Sequence, residues 1–123
     1  MNAKFEALMS RIKKELGESL VSLRIFTPDG ILLYSEPQGT GSEDQLIAMA
    51  SALFEIGRNY FNISCSRERP IVILFAEGNT CMISKLTEDV MISACMKDNR
   101  ISLREDFRNL LAELAEYLGS GPE

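Results

Sequence analysis

Residues 71–97 read IVILFAEGNTCMISKLTEDVMISACMK. Three strand-like runs stand in this stretch: Ile71 to Glu77, Thr80 to Leu86 and Val90 to Lys97. The links between them, Glu77-Gly78-Asn79 and Thr87-Glu88-Asp89, have hairpin length, so the three strands form an antiparallel meander. Ile71 to Ala76 is apolar at every position, and Val90 to Met96 is interrupted only by Ser93. A strand covered on one face alternates apolar with polar residues. These two do not, so helices are expected on both faces of the sheet, in three layers.

Upstream, Ser19 to Thr27 reads as a strand, Pro28-Asp29-Gly30 as a turn and Ile31 to Ser35 as the returning strand. Ala3 to Leu16 carries an apolar stripe at helical spacing, Phe5, Leu8, Met9, Ile12 and Leu16, and Gly17 stops it. Glu36 to Gly41 is a polar loop. Ser42-Glu43-Asp44-Gln45 matches a capping box and opens a helix running to about Phe61. Arg67 to Pro70 is a charged break before the meander. Ser102-Leu103-Arg104-Glu105 is a second capping box; the helix after it presents Leu103, Phe107, Leu110, Leu111, Leu114 and Leu118. The order is α-β-β-α-β-β-β-α: an α/β (α+β) three-layer sandwich on a five-stranded antiparallel sheet. One domain over residues 1–119 and a loose tail over 120–123 are expected.

If the first strand joins the end of the meander, Ile71 to Glu77 is left at an edge. An exposed apolar edge invites pairing. The same strand of a second copy would cover Ile71, Ile73 and Phe75 and make an isologous dimer. In the middle helix, Leu46, Met49, Ala50, Leu53, Gly57, Tyr60 and Phe61 form one broad apolar face, expected to lie on the sheet. Glycine costs about 1 kcal/mol there against alanine, so Gly57 points to close approach of the helix backbone to the sheet. The other side carries Ala48, Ser51, Ala52, Glu55 and Asn59. Alanines four apart would admit a partner helix; they also read as good helix formers on a solvated face.

Composition narrows the function. The chain has 123 residues, 46% hydrophobic and 25% charged, and a net charge of −5 from 13 basic and 18 acidic residues. A domain of this size needs no disulfide or metal staple. The acidic balance argues against a nucleic-acid partner. No run is long enough to span a bilayer, and the N-terminal residues lack a secretory apolar region. There is no histidine, the commonest general base and metal ligand. Cys65, Cys81 and Cys95 are odd in number and widely spaced, so no disulfide or zinc site is expected and a reducing cytoplasm fits. Cys81 and Cys95 read as small core residues, and Cys65, near Arg67 and Arg69, as the more exposed thiol.

Gly39-Thr40-Gly41-Ser42 opens a helix, the context of phosphate-binding loops. It lacks the third glycine and the Lys-Ser/Thr, and Glu43 and Asp44 would repel a phosphate. Glu88 and Asp89 fall in a turn, and Glu113 and Glu116 lie off the leucine face of the last helix. Met82, Met91 and Met96 read as core. No catalytic residue, cofactor or metal site is assigned.

The element order, the Pro28-Asp29-Gly30 hairpin with Ile31-Leu32-Leu33, and the helix containing Ala48-Met49-Ala50-Ser51-Ala52-Leu53 together resemble the Roadblock/dynein-light-chain domain family, over about Phe5 to Leu118. The resemblance implies a five-stranded sheet with the middle helix on one face and the terminal helices on the other. It implies homodimers or paralogous heterodimers formed through the middle helix and third strand, here Ala48, Ser51, Ala52, Glu55, Ile71, Ile73 and Phe75. It further implies a non-enzymatic adaptor or regulator of a Ras-like small GTPase, since some bacterial relatives activate GTP hydrolysis without an arginine finger. The alternatives are a longin- or profilin-like scaffold, which usually lacks the first helix, and a small-molecule sensor of the PAS or GAF type.

Overall fold

The computed structural model describes residues 3–37, 43–64, 71–97 and 105–119, without the side chains of residues 75 and 105–108. Gly39-Thr40-Gly41, Ser42, Cys65, the break at Arg67 to Pro70, Ser102 to Arg104 and the 120–123 tail lie outside the described residues, as do the side chains of Phe75 and Phe107.

The elements are α1 (Ala3–Leu16), β1 (Leu20–Phe26), β2 (Leu32–Glu36), α2 (Glu43–Ser64), β3 (Val72–Ala76), β4 (Asn79–Thr87), β5 (Val90–Met96) and α3 (Glu105–Gly119). A short 3-10 turn, Gly17–Ser19, joins α1 to β1. All strand pairs are antiparallel, in the order β2-β1-β5-β4-β3. β1 therefore closes onto β5, and β3 is an edge, as the sequence predicts. The β1–β2 turn is closed by the Gly30 amide donating to the Thr27 carbonyl at 3.0 Å. Gly30 sits at φ +101°, a conformation that side chains resist, which explains the Asp-Gly step.

Alternation along the strands sorts the core into two. Leu23, Ile25, Met82, Leu86, Ile92 and Ala94 face α1 and α3, where Phe5, Leu8, Met9, Ile12, Leu110 and Leu114 complete one buried cluster. Phe26, Ile83 and Met91 face α2 and meet Ile47, Ala50 and Phe54, with Leu32, Leu53 and Val72 alongside. The three layers are thus present, with α1 built into the core. Lys13 ties α1 to β2 through Glu36 at 3.5 Å. Its pKa is raised above the ordinary lysine value, chiefly by the Tyr34 hydroxyl, with Glu36 assisting against a lowering by burial.

Three expectations need correction. The first concerns β3. Its apolar run is not covered on both faces, because Leu74 and the preceding Ile71 are exposed, while Val72 packs beside the cluster under α2. The second concerns α2, which continues to Ser64 and lays a different face on the sheet. Ile47, Ala50 and Phe54 are buried, whereas Leu46, Met49 and Tyr60 are exposed. The third concerns Cys81 and Cys95, which form a disulfide across β4 and β5. They are directly paired in the register, with Cα atoms 4.2 Å apart. Counting spacing along the chain missed them because the Glu88-Asp89 hairpin folds residues 14 apart onto each other.

Two expectations follow for stability. A Cβ at Gly57 would lie 2.5 Å from Val72 Cγ2, and a β-branched side chain yields poorly. Overpacking of about 1–3 kcal/mol outweighs the gain in helix propensity of about 1 kcal/mol. Gly57→Ala is expected to lower stability in urea melts, and to become neutral or favourable in a Val72→Ala background. Reducing Cys81–Cys95 reopens a short loop in the unfolded chain and is expected to cost about 2–3 kcal/mol. Urea midpoints with and without a phosphine reductant measure it.

Candidate protein-interaction surface

Two apolar stripes run along α2 at alternating three- and four-residue steps. Ile47, Ala50, Phe54, Gly57 and Phe61 form the stripe laid on the sheet. Leu46, Met49, Leu53, Ile56, Tyr60 and Ile63 form a second, exposed except at Leu53, which is half-buried beside the core. Ile56 is 66% exposed, Tyr60 72% and Ile63 87%, values far from those of a packed helix. A helix apolar over this much of its circumference ordinarily has neighbours on both sides. At 100° per residue, the outer stripe adjoins Gly57, the position that meets Val72. It therefore lies on the side of α2 that faces the open edge of β3. Exposed Leu74 shares the α2 face of the sheet with Val72 and extends this apolar surface.

The residues expected at an interface fall on several different faces of the molecule. Ala48, Ala52 and Glu55 are exposed on α2, and Glu55 is paired with Arg58 one turn on. Ser51 is half-buried, its hydroxyl donating to Met91 Sδ at 3.9 Å, so it is turned toward the sheet. Ile71 is exposed just before β3. Ile73 is half-buried on the α1/α3 face, opposite Met82 in the register. Phe75 pairs with Thr80 along the backbone. Sequence reasoning missed Ile56 and Ile63 and placed Leu46, Met49 and Tyr60 on the sheet. The signal was present: positions 46, 49, 53, 56, 60 and 63 keep the 3-4 spacing of a helix–helix seam.

Elsewhere, two open grooves flank the Arg11–Glu113 ion pair between α1 and α3, lined by Lys4, Lys14, Glu15 and Glu116 among others. Their mixed charges and openness suit solvent better than an apolar ligand. Among the described residues, no helix is long and apolar enough to cross a membrane.

No protein-family model matches the sequence, and no curated protein does. Solved structures do match. MglB of Myxococcus xanthus superposes with a TM-score of 0.77 at 17% identity, covering 97% of this chain and 98% of that one. The gliding protein MglB of Thermus thermophilus gives 0.76 at 10% identity, over 98% and 95%. A Roadblock/LC7 domain from Streptomyces avermitilis gives 0.74 at 18% identity, over 92% and 96%. The chain therefore has the Roadblock/LC7 fold, from end to end of its structural relatives.

Apart from Leu53, which packs beside the α2-side core, the outer stripe is exposed in one chain. Ile56→Glu is accordingly expected to leave circular dichroism unchanged and stability within about 0.5 kcal/mol of wild type at protein concentrations too low for self-association. Phe54→Glu, two positions away on the sheet side, is expected to unfold the protein.

Proposed function

We propose that the protein is a non-enzymatic adaptor or regulator that dimerises through α2 and β3 and binds a Ras-like small GTPase. The observation that carries this reading is the outer stripe of α2 beside the open β3 edge, on a Roadblock/LC7 fold. A single stripe that is its own complement suits a two-fold axis, which brings the same patch of each copy together. Met49, Leu53, Ile56 and Tyr60 would form the centre of such an interface. Ala48, Ala52 and Glu55 would flank it, and Ile71, Ile73 and Phe75 would contribute from the strand. Ser51 would act from behind, by holding α2 to Met91. A paralogous chain with the same stripe could replace the second copy.

The GTPase partner and the absence of enzymatic activity rest on the resemblance to Roadblock domains and on a sequence without histidine. The integral α1, with Phe5, Leu8, Met9 and Ile12 buried, weighs against the longin- and profilin-like alternative.

Sedimentation velocity tests the assembly: wild type is expected to be a dimer, and Ile56→Glu a folded monomer. A wild-type monomer at high concentration would overturn the dimeric reading. Immobilised wild-type protein, incubated with lysate of the source organism in GTP analogue or GDP, is expected to retain one Ras-like GTPase in a nucleotide-dependent way. Retention of none in either state would overturn the GTPase reading.

A further inference from the structure

The α2 face of the sheet has an apolar half and a polar half. Ser35, Arg24, Ser93, Ile83 and Val72 stand side by side across the five strands. Ile83 and Val72 pack under α2, which places Arg24 on that face. The next row is Ser22, Cys95, Cys81 and Leu74. Three serines thus surround Arg24 on a floor whose far side is the disulfide. Arg24 is only 8% exposed. Its Nη1 donates to Ser22 Oγ at 3.3 Å and, among the described residues, its Nε–H has no hydrogen-bond partner and no carboxylate forms an ion pair with it. The carboxylate of the neighbouring strand β2, Glu36, is on the opposite face, held by Lys13 and Tyr34.

A buried guanidinium without a counter-charge is strongly unfavourable, and an unpaired buried N–H adds to the cost. Shape narrows what would relieve it. With Nη1 turned to Ser22, the edge carrying Nε presents the side-on geometry that matches the two oxygens of a carboxylate. The hydroxyls of Ser22 and Ser93 can supply further donors, whereas Ser35 gives its proton to the Pro37 carbonyl at 2.7 Å. Charge narrows it again. One guanidinium neutralises one negative charge. A phosphate dianion would leave an uncompensated charge in a buried place of a protein already at −5. We propose that Arg24, with Ser22 and Ser93 beside it and Ser35 at the rim, forms a binding site for a small free monocarboxylate on the α2 face of the sheet. This site is separate from the outer stripe of α2, and its existence does not depend on dimerisation or on a GTPase.

The test uses sodium acetate as the probe, with sodium chloride of equal ionic strength as the reference. Wild type is expected to melt about 5 °C higher when acetate reaches roughly ten times its dissociation constant. Arg24→Met keeps the apolar stem and removes the charge, and replacing a buried unpaired charge by an apolar side chain is tolerated. It is expected to respond to acetate no more than to chloride, and inorganic phosphate to raise neither protein above chloride. In wild type, the Arg24 Nε–H resonance is expected to move saturably with acetate. This second readout decides the matter if Arg24→Met does not fold. An equal acetate response in the two proteins, or an Nε–H resonance indifferent to acetate, would overturn the site. So would an Nε–H already bonded, before acetate is added, to a carboxylate of the chain itself.

Discussion

The ladder between β1 and β5 is the constraint on which the rest depends. It joins the first strand of the chain to the last, pairing Leu23 with Ala94 and Ile25 with Ile92. Loop closure over so long a separation is entropically costly, and only the burial of both faces of these strands offsets it. Once the ladder forms, the strand order is settled. β2 and β3 become the two edges, because each has only its hairpin partner left. The three helices then divide between the faces according to where their connections let them lie: α1 and α3 on one, α2 on the other.

That division is uneven, and the unevenness produces the interaction surface. Two helices with complementary stripes cover one face, and they also cover each other, through contacts such as Phe5 with Tyr117. One helix covers the other face. It meets the apolar half of the sheet with Ile47, Ala50 and Phe54 and, among the described residues, has no neighbour for its remaining apolar side. The close approach at Gly57 draws α2 toward Val72 and so toward the β3 edge. The apolar edge strand and the apolar helix side are therefore two consequences of one arrangement. Both sit where a second molecule could cover them together.

The sequence carried the element order and the meaning of Gly57, because each rests on a local rule, whereas the edge position of β3 followed only on the condition that β1 joins β5. Strand runs, hairpin links and a costly glycine are all decided within a few residues. The facing of α2 was not legible in the same way. Its two stripes, 47/50/54/57/61 and 46/49/53/56/60/63, obey the same period and lie side by side on the helix. Reading one broad face took Leu46, Met49 and Tyr60 from one and Ala50, Gly57 and Phe61 from the other. Periodicity identifies an apolar stripe but not what it touches. Only the sheet, by accepting Phe54 and leaving Ile56 outside, separates core from surface. The all-apolar β3 was misread for a related reason. An apolar strand records that something covers it, without recording whether the cover belongs to the same chain.

The cysteine pair and Arg24 lay beyond sequence rules for a different reason: each depends on register. Cys81 faces Cys95, and Arg24 faces Ser93, only because β1, β5 and β4 pair with the offsets they do. A shift of one residue would send these side chains to opposite faces and put Arg24 among the leucines of the α1/α3 core. Register therefore places Ser22, Arg24, Ser93 and the cysteine pair on the side with a single helix. There Arg24 lies at the margin of the apolar cluster that α2 covers. On the densely packed side, toward α1 and α3, the intervening positions of the same strands are Leu23, Ile25, Ile92 and Ala94. The same sparse cover that leaves α2 open to a partner on its outer side gives the sheet beneath it a polar corner.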